Sequence, residues 1–183
     1  ERILNNRFND ELVDHYTYVI ASDGDLMEGI SHEACSLAGH LKLGRLIVLY
    51  DDNGISIDGP TSLSYSEDVT KRFEAYGWDV QTIDGHDYNE IDRALSAARL
   101  SDKPSIIRCK THIGFGAPTK QGKSDAHGAP LGEQEITGTR ENIGWPHKPF
   151  DVPEEVLSVW RDIGTRSSGE YADWQKRLDS NRI

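Results

Sequence analysis

The sequence contains few cysteines, fewer positive than negative charges and no long apolar run. These features bear on the compartment of the protein and on the partners that it can bind. No secretory signal precedes its two cysteines, Cys35 and Cys109. We therefore expect two reduced thiols, buried as small apolar side chains in a protein of the cytoplasm.

Negative charges outnumber positive charges in this chain. Lys and Arg number 20 against 31 Asp and Glu, so the formal net charge is −11. Nucleic-acid binding needs clustered cations that displace counterions from phosphates, and an anionic membrane attracts a basic amphipathic face. The longest apolar run, residues 46–50, is too short to span a bilayer. We expect neither a nucleic-acid partner nor a membrane partner.

What is present suits a folded protein. The chain has 183 residues, of which 36% are hydrophobic and 28% charged, as in a globular domain of ordinary size. It begins at Glu1, without methionine and inside a helical pattern, so we expect it to be a piece of something longer.

Strand and helix patterns alternate along the chain. Runs rich in β-branched and aromatic residues predict strands over 16–21, 45–50, 78–83 and 105–109. Apolar spacing predicts helices over 2–8, 27–43, 66–76 (capped by Ser66), 88–100 and 133–142, with one or two more within 153–178. Strands separated by helices indicate βαβ units, so the predicted fold is α/β, a parallel sheet with helices on both faces.

The helix predicted over 27–43 has two kinds of side chain. Apolar residues recur on one face, and other positions carry small residues that let a second backbone approach. We expect this helix to be buried on more than one side. The apolar set is Met27, Ile30, Ala34, Leu37, Ala38 and Leu41, and the small set is Gly29, Ser31, Ser36 and Gly39.

Polar residues follow the first two strands where each strand ends. Asp23 and Gly24 follow the first strand, and Asn53, Gly54 and Ile55 follow the second. Neighbouring parallel strands bring such turns together, at the edge where open α/β sheets bind ligands. Carboxylate, amide and backbone carbonyl oxygens suit Mg²⁺ or Ca²⁺, and a neutral amide does not repel a phosphate. The pattern fits a metal-diphosphate site, although Asp-Gly and Asn-Gly alone are also ordinary turn sequences.

Several stretches resemble transketolase. They are residues 22–60 (SDGDLMEGISHEACSLAGHLKLGRLIVLYDDNGISIDGP), 72–78 (RFEAYGW), 84–87 (DGHD), 109–118 (CKTHIGFGAP) and 127–132 (HGAPLG). The resemblance runs along nearly the whole chain and weakens after about residue 150. Other thiamine diphosphate enzymes, such as the pyruvate dehydrogenase family, are not expected to carry LAGHLKLG and HGAPLG together.

The resemblance implies a thiamine diphosphate-binding fold and the transfer of a two-carbon glycolaldehyde unit from a ketose phosphate to an aldose phosphate. Thiamine diphosphate acts as an electron sink in that reaction, which belongs to the pentose phosphate pathway. The resemblance implies Asp23, Asn53 and the Ile55 carbonyl as ligands of Mg²⁺ (or Ca²⁺ or Mn²⁺). It places the Gly24 N–H on the diphosphate and Ile113 against the cofactor.

His127 is the catalytic residue that the resemblance implies. It would lie over the diphosphate, near the reacting carbon and the sugar hydroxyls. The alternative interpretation of His127 is a solvated turn residue without a role in catalysis. Glu28 and Glu33 resemble acidic positions that link the cofactor sites of a homodimer, and they could equally be surface groups.

Two positions depart from the family pattern. Ser22 stands where the family has glycine, and it fits if its φ is negative. Asp25 stands where the family more often has a small or uncharged residue, and an extra carboxylate close to a diphosphate would cost affinity unless it points away or is paired.

The resemblance also implies an incomplete domain. Residues 1–150 would be the latter part of the diphosphate-binding domain, and 151–183 a helical extension toward an absent pyrimidine-binding domain. We expect the sheet to be incomplete and the isolated chain to have no turnover. The remaining segments of the enzyme, or a complementary chain, would then be its partners.

Two other functions stay open at this point. One is a pseudo-enzyme or a non-catalytic fragment that binds partners through an exposed sheet edge and helix faces. The other is a Mg²⁺-dependent phosphohydrolase that uses Asp23 and Asp25 as an acidic pair.

Overall fold

The computed structural model describes residues 1–9 and 11–181, which divide into two compact units. One unit runs from Tyr16 to Ile143. The other joins Glu1–His15 to the segment that begins at Gly144. The boundary predicted at residue 150 separates segments by function and stays a prediction, whereas these units are defined by packing alone.

Strands and helices alternate through the described chain. The strands are β1 (Thr17–Ser22), β2 (Leu46–Asp52), β3 (Ile55–Ser56), β4 (Gly59–Pro60), β5 (Asp79–Asp84) and β6 (Ser105–Lys110). The α-helices are α1 (Arg2–Phe8), α2 (Asp23–Met27), α3 (Gly29–His40), α4 (Val69–Ala75), α5 (Tyr88–Ala98), α6 (Glu133–Asn142), α7 (Glu154–Arg166) and α8 (Ser168–Ser180). Among the described helices, none has the length and apolar character needed to cross a bilayer.

The main sheet has the strand order β1-β2-β6-β5, and its neighbouring strands pair in parallel. β2 and β6 therefore occupy its centre, and the register sets Ser22 beside Asp51 and Asp51 beside Cys109. β3 and β4 form a small antiparallel pair directly after β2. The predicted parallel α/β fold is confirmed, with each predicted strand correct to within two residues at either end.

The two central strands are apolar on both faces, because helices cover both. Val48 and Ile106 belong to a core shared with α2, α3 and α4, whereas Ile47 and Ile107 belong to a second core shared with α5. Ile47 and Ile107 are completely buried, and burial of such a side chain stabilises the fold by about 1.5–3 kcal/mol. The continuous apolar run of β2 reflects this two-sided cover.

An aromatic cluster anchors α3 and α4 on the first core. Phe73 lies edge-on to Trp78 with ring centroids 5.0 Å apart, and the Trp78 Nε1–H donates to the Cys35 carbonyl at 2.8 Å. Ala38 and Gly39 are the residues of α3 buried at this contact. Small side chains therefore set how closely α3 packs.

Apolar residues of the face predicted to be buried on this helix are exposed in the structure. Ile30, Leu37 and Leu41 are 71%, 57% and 51% exposed, so the expectation of burial on more than one side is wrong for the described chain. The physical reason is that the aromatic cluster packs against the small residues instead.

Two helix starts also differ from the predictions. Asp68, rather than Ser66, caps α4, since its carboxylate accepts the Lys71 N–H at 3.2 Å. The helical region after β1 also starts earlier than the predicted residue 27. Its first part is α2, a single turn that begins directly after β1 and is separated from α3 by Glu28.

The unit that contains both ends of the chain is helical. The Trp174 indole N–H donates to the Leu12 carbonyl, and the Arg177 Nε–H donates to the Glu11 carbonyl, each at 2.9 Å. The Asn5 amide donates to the Val13 carbonyl at 2.6 Å. These bonds tie α8 and α1 to the segment that follows α1.

Candidate functional site

The candidate site lies at the carboxyl ends of β1 and β2, where the chain turns out of the sheet. β1 ends at Ser22 and continues directly into α2, so Asp23 is the first residue of that helix. β2 ends at Asp52, and Asn53 and Gly54 lead into β3. Since β1 and β2 are parallel neighbours, the two turns lie together, as the sequence predicts.

Asp23 is the buried carboxylate of this site, only 2% exposed. Its Oδ1 accepts a short hydrogen bond from the Tyr50 hydroxyl, and its Oδ2 accepts the Gly54 N–H at 3.2 Å. Burial raises the pKa of Asp23 above its ordinary value, and the bond from Tyr50 works in the opposite direction. These bonds join the start of α2 to β2 and to the segment that follows β2.

Asn53 shapes the turn that faces Asp23. Its Oδ1 accepts the Ile55 N–H at 3.0 Å, and its Nδ2 donates to Asp51 Oδ2 at 3.2 Å. An amide oxygen has a second lone pair, so this bond leaves one acceptor position on Oδ1 for a ligand. Through its two hydrogen bonds, the Asn53 side chain connects residue 51 with residue 55.

Three carboxylates crowd this edge of the sheet. Asp51 accepts a short hydrogen bond from the Thr111 hydroxyl, and Asp52 pairs with Arg108, whose Nε lies 2.6 Å from Asp52 Oδ2. Both negative charges add to the rise in the pKa of Asp23. A divalent cation beside Asp23 would relieve this repulsion.

The oxygen atoms of Asp23, Asn53 and Ile55 are ligands of the kind that a hard divalent metal ion prefers. In residues 1–9 and 11–181, no group of three His, Cys, Asp or Glu side chains is arranged to hold a metal ion. A metal beside Asp23 would therefore need amide and backbone oxygens, and Asn53 and Ile55 supply these on the adjoining turn. Such an all-oxygen set with few charges suits Mg²⁺ that also contacts a phosphate.

Ser22 and Asp25, the two departures from the family pattern, are accommodated by each other. Ser22 has φ −105°, so it needs no glycine-like backbone. Asp25 Oδ2 accepts both the Ser22 N–H at 2.7 Å and the Ser22 hydroxyl at 2.8 Å. These bonds lower the pKa of Asp25. Asp25 is therefore hydrogen-bonded within its own turn, and the Ser-x-x-Asp spacing is a capping signal that would have predicted α2.

Gly24 lies exposed on α2 beside this pair. A Cβ added at Gly24 would lie 3.9 Å from its nearest neighbour, Ser22 Oγ. Packing within the described chain therefore does not require glycine here, which leaves room for a ligand to approach the backbone.

Ile113 and His127 belong to the long loop after β6. This loop starts beside β2, since the Thr111 N–H donates to the Asp52 carbonyl at 3.3 Å. Further along, the Gly122 N–H donates to the Ile113 carbonyl at 2.9 Å, and His127, an exposed residue, donates its N–H to the Ser124 carbonyl. The structure thus joins Asp23 to residues 53–55 directly, and it places Ile113 and His127 on a separate loop. Glu28 and Glu33 are exposed.

Sequence reasoning missed His86, which supports this loop. Its Nε2 accepts the His112 N–H at 3.1 Å, and its ring stacks on Phe115 with centroids 4.0 Å apart. His86 follows β5 in the DGHD stretch, so it reaches the loop from the neighbouring strand. An isolated histidine in a turn gives no signal of such a contact.

The comparisons with known proteins agree along the whole chain. A family model described as "Transketolase, thiamine diphosphate binding domain" matches residues 1–182. The chain is 53% identical to a transketolase of Cereibacter sphaeroides over 183 residues, which is 100% of this chain and 28% of that protein. It is 53% identical to transketolase 1 of Escherichia coli (strain K12) over 175 residues, or 94% of this chain and 26% of that protein.

Solved structures give the same result. A transketolase from Campylobacter jejuni matches with a TM-score of 0.92 at 43% identity, covering 96% of this chain and 28% of that one. A transketolase from Leishmania mexicana matches with a TM-score of 0.87 at 44% identity, covering 96% of this chain and 26% of that one. The chain spans just over a quarter of the length of these relatives.

Proposed function

Because the chain belongs to the transketolase family and matches its thiamine diphosphate-binding domain, we propose that it binds thiamine diphosphate together with a divalent metal. The proposed reaction is transfer of a two-carbon glycolaldehyde unit from a ketose phosphate to an aldose phosphate. Thiamine diphosphate, when bound, supplies the nucleophilic carbon and the electron sink for that carbon–carbon chemistry.

One observation carries this proposal. The buried carboxylate of Asp23 is hydrogen-bonded to the Gly54 N–H, between the two proposed ligands Asn53 and Ile55. We propose that Asp23 and Asn53 bind the metal through side-chain oxygens and Ile55 through its carbonyl. A metal held there would orient a diphosphate, whose charge it partly neutralises.

The remaining site residues have proposed roles around the cofactor. Gly24 would donate its N–H to the diphosphate from the start of α2, where backbone N–H groups favour anions. Ile113 would pack against the cofactor and exclude water. His127, exposed on its loop, would donate a hydrogen bond to a substrate hydroxyl and serve as the catalytic residue.

Calorimetric titration tests the proposal. Thiamine diphosphate is titrated into the chain with Mg²⁺ and again with EDTA, then into Asn53→Ala and into Asn89→Ala, an exposed asparagine on α5 that serves as control. Binding that requires Mg²⁺, survives in Asn89→Ala and disappears in Asn53→Ala is the expected result. Binding that ignores both the metal and Asn53 would refute the assignment. Repeating the titration with Mn²⁺ and Ca²⁺ compares the other proposed metals.

The phosphohydrolase alternative needs Asp23 and Asp25 to act as a pair. The two carboxylates have different partners, since Asp23 accepts from Tyr50 and Gly54 whereas Asp25 accepts twice from Ser22. This arrangement favours the diphosphate assignment. Release of phosphate from a phosphomonoester without thiamine diphosphate would reverse that preference.

Association with another polypeptide has its own support. Ile20 on β1 is 82% exposed, and Ile30 and Leu37 on α3 are also largely exposed. Apolar side chains exposed on an edge strand and a helix favour contact with protein. We propose a dimer, or a complex with the other segments of a transketolase, acting on sugar phosphates in the cytoplasm. Light scattering on Ile20→Lys and wild type tests this: the variant should lower the associated fraction.

A further inference from the structure

The hydroxyl of Tyr50 lies against the carboxylate of Asp23, inside the fold. Tyr50 is on β2, is only 2% exposed and packs in the same core as Val48. A buried phenol hydroxyl needs a hydrogen-bond partner, because leaving it unpaired costs free energy. Its partners are Asp23 Oδ1, by a short hydrogen bond, and Asp52 Oδ1 at 3.3 Å.

The hydroxyl has one proton to donate, and the surroundings decide which carboxylate receives it. Asp52 already pairs with Arg108, whose Nε–H donates to Asp52 Oδ2 at 2.6 Å. The contact from Tyr50 to Asp23 is also shorter than that to Asp52. The Tyr50 hydroxyl is therefore best placed to donate to Asp23, since its contact with Asp52 is longer and Asp52 has a cationic partner.

Two donors then hold the Asp23 carboxylate, one on each oxygen. Tyr50 donates to Oδ1 from the strand, and the Gly54 N–H donates to Oδ2 at 3.2 Å from the turn. Attachment at both oxygens fixes the plane of the carboxylate relative to residues 53–55. Each carboxylate oxygen has a further lone pair, so a ligand can still bind.

We propose that Tyr50 is a positioning residue, whose hydroxyl holds the Asp23 carboxylate in the orientation that faces the turn at residues 53–55. This proposal rests on the function proposed above in one respect, which is that the bound ligand is thiamine diphosphate with a divalent metal. Supporting groups of this kind orient the groups that bind a metal, and their loss commonly weakens binding.

A second tyrosine in the same cavity supplies the control. Tyr65 and Tyr50 both line a cavity of about 240 Å³ that also reaches Asp23 and Asp52. The Tyr65 hydroxyl accepts the Arg72 Nη2–H at 3.0 Å. Tyr65→Phe thus removes a half-buried hydroxyl from the same cavity without removing the bond to Asp23.

The first readout needs no ligand. Hydrogen exchange of the Gly54 amide, followed by NMR, reports how firmly the Asp23 carboxylate holds that N–H. We expect exchange in Tyr50→Phe to be faster by on the order of tenfold, and exchange in Tyr65→Phe to match wild type. Unchanged exchange in Tyr50→Phe would overturn the proposal, as would equal acceleration in both variants.

The second readout is the Mg²⁺-dependent affinity for thiamine diphosphate. We expect Tyr50→Phe to weaken it by on the order of tenfold, and Tyr65→Phe to leave it unchanged. If wild type does not bind thiamine diphosphate, the proposed function fails, and Gly54 exchange still decides the role of Tyr50.

A third variant keeps the test decisive if Tyr50→Phe does not fold. Replacing Tyr50 by p-aminophenylalanine keeps the ring and a donor at the same position. An aniline is a weaker donor than a phenol. We therefore expect the Gly54 amide of this variant to exchange faster than in wild type but slower than an unprotected amide. Full loss of Gly54 protection in this folded variant would overturn the proposal.

Discussion

The backbone of Gly39 lies directly against the backbone of Tyr76. A Cβ added at Gly39 would lie 1.9 Å from the Tyr76 carbonyl oxygen and 3.2 Å from the Trp78 ring. The neighbour is backbone rather than a flexible side chain, so it cannot move aside cheaply. This contact fixes the separation between α3 and the C-terminal end of α4.

We predict that Gly39→Ala lowers the free energy of unfolding by about 1–3 kcal/mol, the usual cost of overpacking a core. Gly29→Ala is the matched control on the same helix, because an added Cβ there would meet nothing within 4 Å. Urea denaturation followed by circular dichroism gives both values. Equal stability of the two variants would contradict the close approach.

Asp25 makes a pH-dependent contribution to stability through Ser22. Its pKa is lowered in the folded chain, so the stabilisation is present above the ordinary pKa of an aspartate and is lost as the pH falls through the lowered value. We predict that Asp25→Ala costs about 1 kcal/mol at pH 7, the size of a helix-capping interaction, and that this difference shrinks below about pH 4. Denaturation at several pH values measures it. Asp58→Ala, which removes a carboxylate at an exposed position, is the control variant.

The sheet could be predicted from sequence because β2 and β6 carry the pattern of strands covered on both faces. α2 escaped prediction because a helix of one turn has no periodicity, and Asp23 and Gly24 resemble an ordinary turn. The cap of α4 was ambiguous because Ser66, Glu67 and Asp68 are adjacent, and only the three-dimensional path shows which side chain reaches the first turn.

The site divides in the same way. That Asp23 and Asn53 follow neighbouring parallel strands is a property of topology, so their approach could be predicted. The bond from Tyr50 to Asp23 depends on where a hydroxyl points, and residue spacing carries no such information. A buried tyrosine near the end of a strand is a general signal that a polar partner lies close by.

Both cysteines are predicted to be unreactive in the folded chain. Burial raises the pKa of the Cys109 thiol and also that of the Cys35 thiol, so little thiolate is present near neutral pH. We expect negligible reaction with a disulfide reagent at pH 7 and complete reaction in urea. Titration with and without denaturant checks this, and rapid reaction of either thiol in the native chain would contradict it.

His86 is predicted to stabilise the loop that carries Ile113. His86→Ala removes the acceptor for the His112 N–H and the stacking partner of Phe115. We expect the loss of about 1 kcal/mol of local stability, seen as faster hydrogen exchange in residues 111–118. His40→Ala, at an exposed position on α3, is the control and should leave that segment unchanged. Unaltered exchange in His86→Ala would show that the loop is held by other contacts.

The strand order has a consequence for how the chain can fold as it is synthesised. β6 is the last strand of the main sheet to be made, yet it lies between β2 and β5 and pairs with both. A nascent chain that ends before Ser105 holds the β1-β2 pair and β5 with no strand between them. Contacts distant in sequence form slowly, and exposed strand edges are prone to mispairing until they close. Assembly of the complete four-stranded sheet therefore waits for the strand at its centre.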